Sequence, residues 1–139
     1  MSHEVAQRFI DALHQLEEQR ELDPIVATYA PGCEVGNVVS PEQFHDPEGA
    51  REFWQTYRAA FGEVHSTFRN IIATDAHAAL EWTTKGTNPD GKPFAYDGVS
   101  ILEIADDKIT RFRAYFNPSA LGRQIVEPED RVAGSQEAA

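Results

Sequence analysis

Between Phe94 and Phe116 the chain reads FAYDGVSILEIADDKITRFRAYF, two alternating runs joined by an acidic turn. Alternation with period two marks half-buried strands. Asp suits the turn because its side chain bonds its own backbone. A three-residue turn over Ala105-Asp106-Asp107 pairs Ile104 with Lys108, which sets Ser100 against Phe112 and Gly98 against Ala114. One face of this hairpin then carries Tyr96, Gly98, Ser100, Leu102, Phe112, Ala114 and Phe116. The other carries Asp97, Val99, Ile101, Arg111, Arg113 and Tyr115. The first face is small in its middle and aromatic at its rims. Once another layer packs on it, a hollow remains, and such hollows hold small ligands.

The rest of the chain supplies that layer. Ser2 is placed to cap a helix over residues 3–20, with Val5, Phe9, Ala12, Leu13 and Leu16 at helical spacing. Asp23-Pro24 and Asp46-Pro47 each read as a cap followed by proline at the first helical position. The first of these starts a short helix through Ile25, Val26 and Tyr29 that ends at Pro31-Gly32. The second starts a longer helix to about residue 61, with Ala50, Phe53, Trp54, Tyr57 and Phe61 as its apolar stripe. Residues 33–39 read as a short strand, and residues 64–74 and 77–87 as two long ones. Asn88-Pro89-Asp90-Gly91 forms the turn into the hairpin. Helices followed by a run of antiparallel strands give an α+β class with one domain over residues 1–126. From Glu127 the sequence is polar and small and reads as a disordered tail.

Composition restricts the partners. The formal charge is −11, from 23 acids against 12 bases, so no basic footprint for nucleic acid or an anionic membrane exists. The chain has no apolar run long enough to span a bilayer and no signal-peptide pattern, which makes the cytoplasm the expected compartment. A single cysteine, Cys33, excludes an intramolecular disulfide and reads as a small buried hydrophobe.

Three stretches carry a family resemblance: VAQRFIDALHQLEEQRELDPIVATYAPGCEVGN, DPEGAREFW and DGVSILEIADDKITRFRAYF. With this order of elements, the chain resembles the nuclear transport factor 2-like superfamily and, within it, the SnoaL-like branch. The resemblance covers residues 5–121. It implies a cone of three helices on a strongly curved, mostly antiparallel sheet, with a pocket inside. The resemblance carries over few catalytic groups. The ketosteroid isomerase tyrosine falls at Phe9, its aspartate base at Asn37, and its oxyanion-hole aspartic acid near Ser100. The limonene epoxide hydrolase asparagine also falls at Asn37. Its tyrosine falls at Val35, its water-activating aspartate at Ala114, and its arginine–aspartate pair at Glu81 and Thr83. The SnoaL-type cyclase aspartate falls at Ala114 too.

The remaining chemistry rests on Glu81 and Asn37. Glu81 shares a strand face with Ala79, Thr83 and Lys85. If that face lines the pocket, Glu81 is a desolvated carboxylate suited to general acid–base work, and otherwise it is a salt-bridge partner. Asn37 can anchor a water or carbonyl, or satisfy local backbone. The expected ligand contacts are Trp54, Tyr57, Tyr96, Ser100, Phe112 and Phe116, with His45 near the mouth. No histidine pair has metal-ligand spacing along the chain, so neither metal nor cofactor is expected. These residues point to binding of a small, largely apolar molecule bearing a carbonyl or hydroxyl. If the chain is an enzyme, proton transfer or water addition through Glu81 and Asn37 is the expected class; the alternatives are a non-catalytic binding protein and an interaction module whose sheet face recruits another protein. Leu80, Trp82, Val99, Ile101 and Tyr115 are expected on the outer sheet face, where a second copy would cover them in a homodimer.

Overall fold

A computed structural model describes residues 2–125. Its elements are α1 (Ser2–Gln19), α2 (Asp23–Val26), β1 (Tyr29–Asn37), β2 (Phe44–His45), α3 (Asp46–Ala59), β3 (Val64–Ala73), β4 (His77–Thr87), β5 (Pro93–Ala105), β6 (Lys108–Phe116) and α4 (Pro118–Ile125). Six strands form one sheet in the order β2-β1-β6-β5-β4-β3, with β1 parallel to β6 and every other pair antiparallel. The class is α+β, as the order of elements predicts. The expected tail from residue 127 lies outside the described residues.

α1 buries the expected stripe of Val5, Phe9, Ala12, Leu13 and Leu16, and also Ala6, Ile10 and Glu17. Ser2 is not an external cap. It lies in the helix, and its Oγ donates to the Asp75 carbonyl at 2.8 Å, tying α1 to the β3–β4 turn. α1 also covers the outer edge of β3, where free strand groups would otherwise invite pairing. The Ser66 N–H donates to Glu17 Oε1 at 2.8 Å, and the Ser66 carbonyl accepts from His14 Nε2 at 2.8 Å.

α2 is shorter than its composition suggests. Thr28 Oγ1 closes it on the Ile25 carbonyl, and the Ile109 N–H takes the Thr28 carbonyl, so Tyr29 already begins β1. Gly32, at φ 76°, sits in an irregularity between Tyr29 and Glu34, a conformation glycine adopts without a Cβ penalty. Its N–H is taken by Asp46 Oδ1 at 2.7 Å. Asp46 therefore ties the α3 start to β1, while extended His45 holds the cap position.

The turn of the central hairpin has two residues, not three. Asp106 and Asp107 lie at φ 53° and 61°, the left-handed pair of a type I′ turn, and Ala105 faces Lys108. That change alone would exchange the faces of β6. A bulge between Glu103 and Ile104 shifts the register once more. Ser100 consequently faces Ala114 and Gly98 faces Phe116, and both hairpin faces remain as read from the sequence.

β4 is different. Its loop to β5 takes five residues, Asn88–Lys92, because Thr87 pairs with Pro93. Asn88 Oδ1 holds that loop by accepting the Asp90 and Lys92 N–H groups. A four-residue loop would have paired Thr87 with Lys92 and set Glu81 opposite Gly98. Instead Trp82 faces Gly98 and Leu80 faces Ser100, so Ala78, Leu80, Trp82 and Thr84 point inward and are buried. The expectation that Leu80 and Trp82 lie on the outer face is thereby corrected. Glu81 faces Val99 on the outer side. Trp82 packs over Gly98 so closely that a Cβ there would lie 2.4 Å from the indole ring.

Candidate functional site

Between α1, α3 and the concave face of the sheet lies a cavity of about 60 Å³. A water needs on the order of 10–15 Å³ measured this way, so the space holds a few waters or part of a ligand. α1 lends Phe9 and Leu13, α3 lends Phe53, Trp54 and Tyr57, and the strands supply the floor. An open recess of about 500 Å³ adjoins it, reaching Val39, Phe44, Pro118 and Leu121 beneath α4. Asn37, Phe53, Tyr57, Tyr96 and Phe116 line both spaces. Cavity and recess together fall within the size range of small-molecule sites.

Six sequence-predicted contacts come together here: Trp54, Tyr57, Tyr96, Ser100, Phe112 and Phe116 all line the cavity, as does Asn37. Their rings interlock edge to face, the favoured aromatic geometry. Trp54 meets Phe112 at 5.3 Å and Tyr96 meets Phe116 at 5.3 Å between centroids. Asn37 arrives through the parallel β1–β6 pairing, which sets it opposite Ala114. Its Oδ1 accepts the Val39 N–H at 2.9 Å.

Two predicted residues lie elsewhere. Glu81 sits half-exposed on the outer sheet face and accepts from Asn70 Nδ2 at 2.5 Å, so no Glu81–Asn37 pair forms. The cause is the five-residue loop that fixes the β4 register. His45 is exposed and stands 3.7 Å from the Glu34 carboxylate, outside the cavity lining. β2 pairs with β1 so that His45 faces Glu34, a residue on the outer side of the sheet.

A carboxylate does stand directly behind the cavity wall: Glu17, only 1% exposed and bonded to lining residues without lining the cavity itself. Its Oε2 accepts from Tyr57 Oη at 2.7 Å and from Ser66 Oγ at 2.6 Å, while Oε1 takes the Ser66 N–H. Ser66 Oγ lies 2.7 Å from Thr84 Oγ1. Arg58, also buried, donates to the Glu17 carbonyl and to the Phe61 and Gly62 carbonyls. Sequence reading overlooked Glu17. The available signal was its place on the Ile10–Leu13 stripe, where an acid is anomalous unless paired.

Most other polar groups in the cavity wall are engaged. Trp54 Nε1 donates to Tyr29 Oη at 2.9 Å, and Trp82 Nε1 donates to Ser100 Oγ at 2.9 Å. The Tyr96 hydroxyl has no hydrogen-bond partner among the described residues. Burial first, and then the Glu17 charge, raise the Tyr57 phenol well above the ordinary tyrosine range and raise that of Tyr96 too. Both phenols therefore stay protonated around neutrality and act as hydrogen-bonding groups. Burial likewise raises the Cys33 thiol, consistent with a packing residue.

Among the described residues, His14, Glu17 and His65 bring ligand-type atoms within 4.8 Å of one another. Their spacing along the chain gives no hint of this, because α1 and β3 bring the two imidazoles together as a stack at 4.9 Å. An ion there would have to displace existing bonds, since Glu17 already accepts from Tyr57 and Ser66 and His65 Nδ1 faces Glu18 at 3.1 Å.

Residues 6–112 match the model of the SnoaL-like domain. Among curated proteins, none matches the chain. Solved structures share its fold at low identity. A nuclear transport factor 2-like protein of unknown function from Burkholderia pseudomallei aligns with a TM-score of 0.79 at 16% identity, over 90% of this chain and 97% of that one. TerC, co-crystallised with polyporic acid, aligns at 0.75 with 17% identity, over 88% and 95%. An LEH-like epoxide hydrolase from M. tuberculosis aligns at 0.71 with 13% identity, over 99% and 98%.

Proposed function

The chain belongs to the SnoaL-like domain family, and from that premise we propose that it binds a small, largely apolar molecule bearing a carbonyl or hydroxyl. The observation that carries this reading is the Tyr96 hydroxyl, without a partner among the described residues, in an aromatic cavity that adjoins an open recess. A ring entering from the recess gains contact with Trp54, Phe112 and Phe116, and its polar group meets Tyr96 or the Asn37 amide. TerC, with polyporic acid, is a structural relative that holds an organic ligand. Non-catalytic binding takes precedence over turnover, since Glu81 faces away from Asn37.

One observation favours turnover by another route. Glu17 is bonded to Tyr57, and a carboxylate behind a cavity phenol is a means of moving a proton. On the outer sheet face we propose pairing with a second copy through Val99, Ile101 and Tyr115, now with Ile72, which is 65% exposed, in place of Leu80 and Trp82.

Titration of the protein with acetophenone tests the binding reading. Saturable binding that weakens about fivefold or more in Tyr96→Phe, and is unchanged in the outer-face variant Tyr115→Phe, supports it. Binding that ignores Tyr96 and responds to Tyr115 contradicts it.

A further inference from the structure

We propose that the end of the cavity nearest α1 accepts hydrogen bonds only, so the ligand must present a hydroxyl or N–H there: a phenol- or enol-type donor, not a carbonyl or ether. The proposal rests on the binding reading above and fixes the polarity of the ligand. It follows from counting protons.

A carboxylate accepts and has no proton to give. Glu17 takes three donors, the Ser66 N–H, the Ser66 hydroxyl and the Tyr57 hydroxyl. Each hydroxyl has a single proton. That of Ser66 is committed to Glu17, so the 2.7 Å contact between Ser66 and Thr84 must have Thr84 as donor. The Thr84 proton is then committed as well, and that of Tyr57 already is. Tyr57, Ser66 and Thr84 all line the cavity, and each can offer it only lone pairs. A ligand acceptor placed there meets lone pairs and loses its water without compensation, whereas a donor gains a bond.

Donor capacity remains on the neighbouring strand β5, where Tyr96 pairs with Thr84. Ser100 Oγ accepts the Trp82 indole N–H, which leaves its own proton available, and Tyr96 Oη retains both capacities. The site therefore sets acceptors on α3, β3 and β4 directly beside donors on β5. The ligand class it fits is a compact aromatic or enolic molecule with a hydroxyl donor set against Tyr57, Ser66 or Thr84 and any carbonyl-type acceptor turned to Tyr96 or Ser100. Glu17 also shields the edge of β3, a structural role that would leave ligand polarity unaffected.

Binding of phenol, anisole and toluene, followed by protein-observed NMR, separates the two. The quantity read is the ratio of anisole to phenol dissociation constants, compared between parent and variants so that ligand desolvation cancels. Tyr57 is the one of the three acceptors that also lines the recess and so meets an entering hydroxyl first. Tyr57→Phe keeps both Ser66 bonds to Glu17 and should lower the ratio about tenfold, the equivalent of losing one well-made hydrogen bond. Glu17→Gln supplies an N–H donor, frees a hydroxyl proton to turn into the cavity, and should lower the ratio similarly or invert it. Should Glu17→Gln fail to fold, Tyr57→Phe alone decides. A ratio unchanged in Tyr57→Phe overturns the proposal while leaving the cavity reading intact, provided toluene still binds. If none of the three probes binds the parent, the binding reading fails and the polarity proposal falls with it.

Discussion

Replacing Glu17 by alanine removes the acceptor shared by three buried donors. The Ser66 N–H belongs to the β3 edge and cannot turn elsewhere. Leaving it unsatisfied costs about 1–3 kcal/mol. The Tyr57 and Ser66 hydroxyls can rotate, and Ser66 can turn back to Thr84, so each loses about 0.5–1 kcal/mol. The sum is about 2–5 kcal/mol, a large share of a domain's stability. Urea unfolding should show this as a lower midpoint with an unchanged slope. Glu81→Ala is the control. That carboxylate is half-exposed on the outer face, and its loss should stay within about 0.5 kcal/mol. A Glu17→Ala loss below about 1 kcal/mol would refute the buried network, and a Glu81→Ala loss that exceeds it would refute the β4 register.

Gly98→Ala forces a Cβ against the Trp82 ring and the Tyr115 carbonyl, and should destabilise by about 1–3 kcal/mol in the same assay. Ala114→Asp puts a carboxylate into the cavity wall and should lower the melting temperature; equal stability would mean the position is wet. Ile101→Glu should turn a dimer into a folded monomer in sedimentation, and a parent that sediments as a monomer contradicts the proposed pairing. Trp82→Glu, by contrast, should unfold the chain, because Trp82 is buried on the inner face. The Tyr57 and Tyr96 phenols are raised in the folded state, so the unfolded chain releases their protons first as pH rises. Their contribution is complete below the ordinary tyrosine value of about 10 and is lost above it, which stability measurements between pH 8 and 12 should show as a decline confined to the alkaline end.

The parts of the fold legible in the sequence are those where a local pattern decides. The α1 and α3 stripes are set by helical period, and the two faces of β5–β6 by alternation and an acidic turn. These place six of the expected contact residues around the cavity. The β4 face was not legible, because both of its faces carry apolar and polar residues and the choice depends on one residue of loop length. Lys92 joins the loop through Asn88, a detail no periodicity reports. That residue decides whether Glu81 or Trp82 meets the cavity. Glu17 escaped notice for a different reason. α1 carries acids on its exposed side too, and in the sequence Glu17 differs from them only by falling in line with Ile10 and Leu13, while the partner that lets it be buried there, Ser66, lies 49 residues away. His45 faces away because β2, two residues long, is too short to signal its register.

The most direct test of the account is where a bound probe sits. Intermolecular NOEs from phenol to the ring protons of Tyr57, Tyr96 and Phe112 are the expected result, since all three line the cavity. NOEs to Val99, Ile101 and Tyr115 on the outer face, with none to the cavity rings, would contradict it.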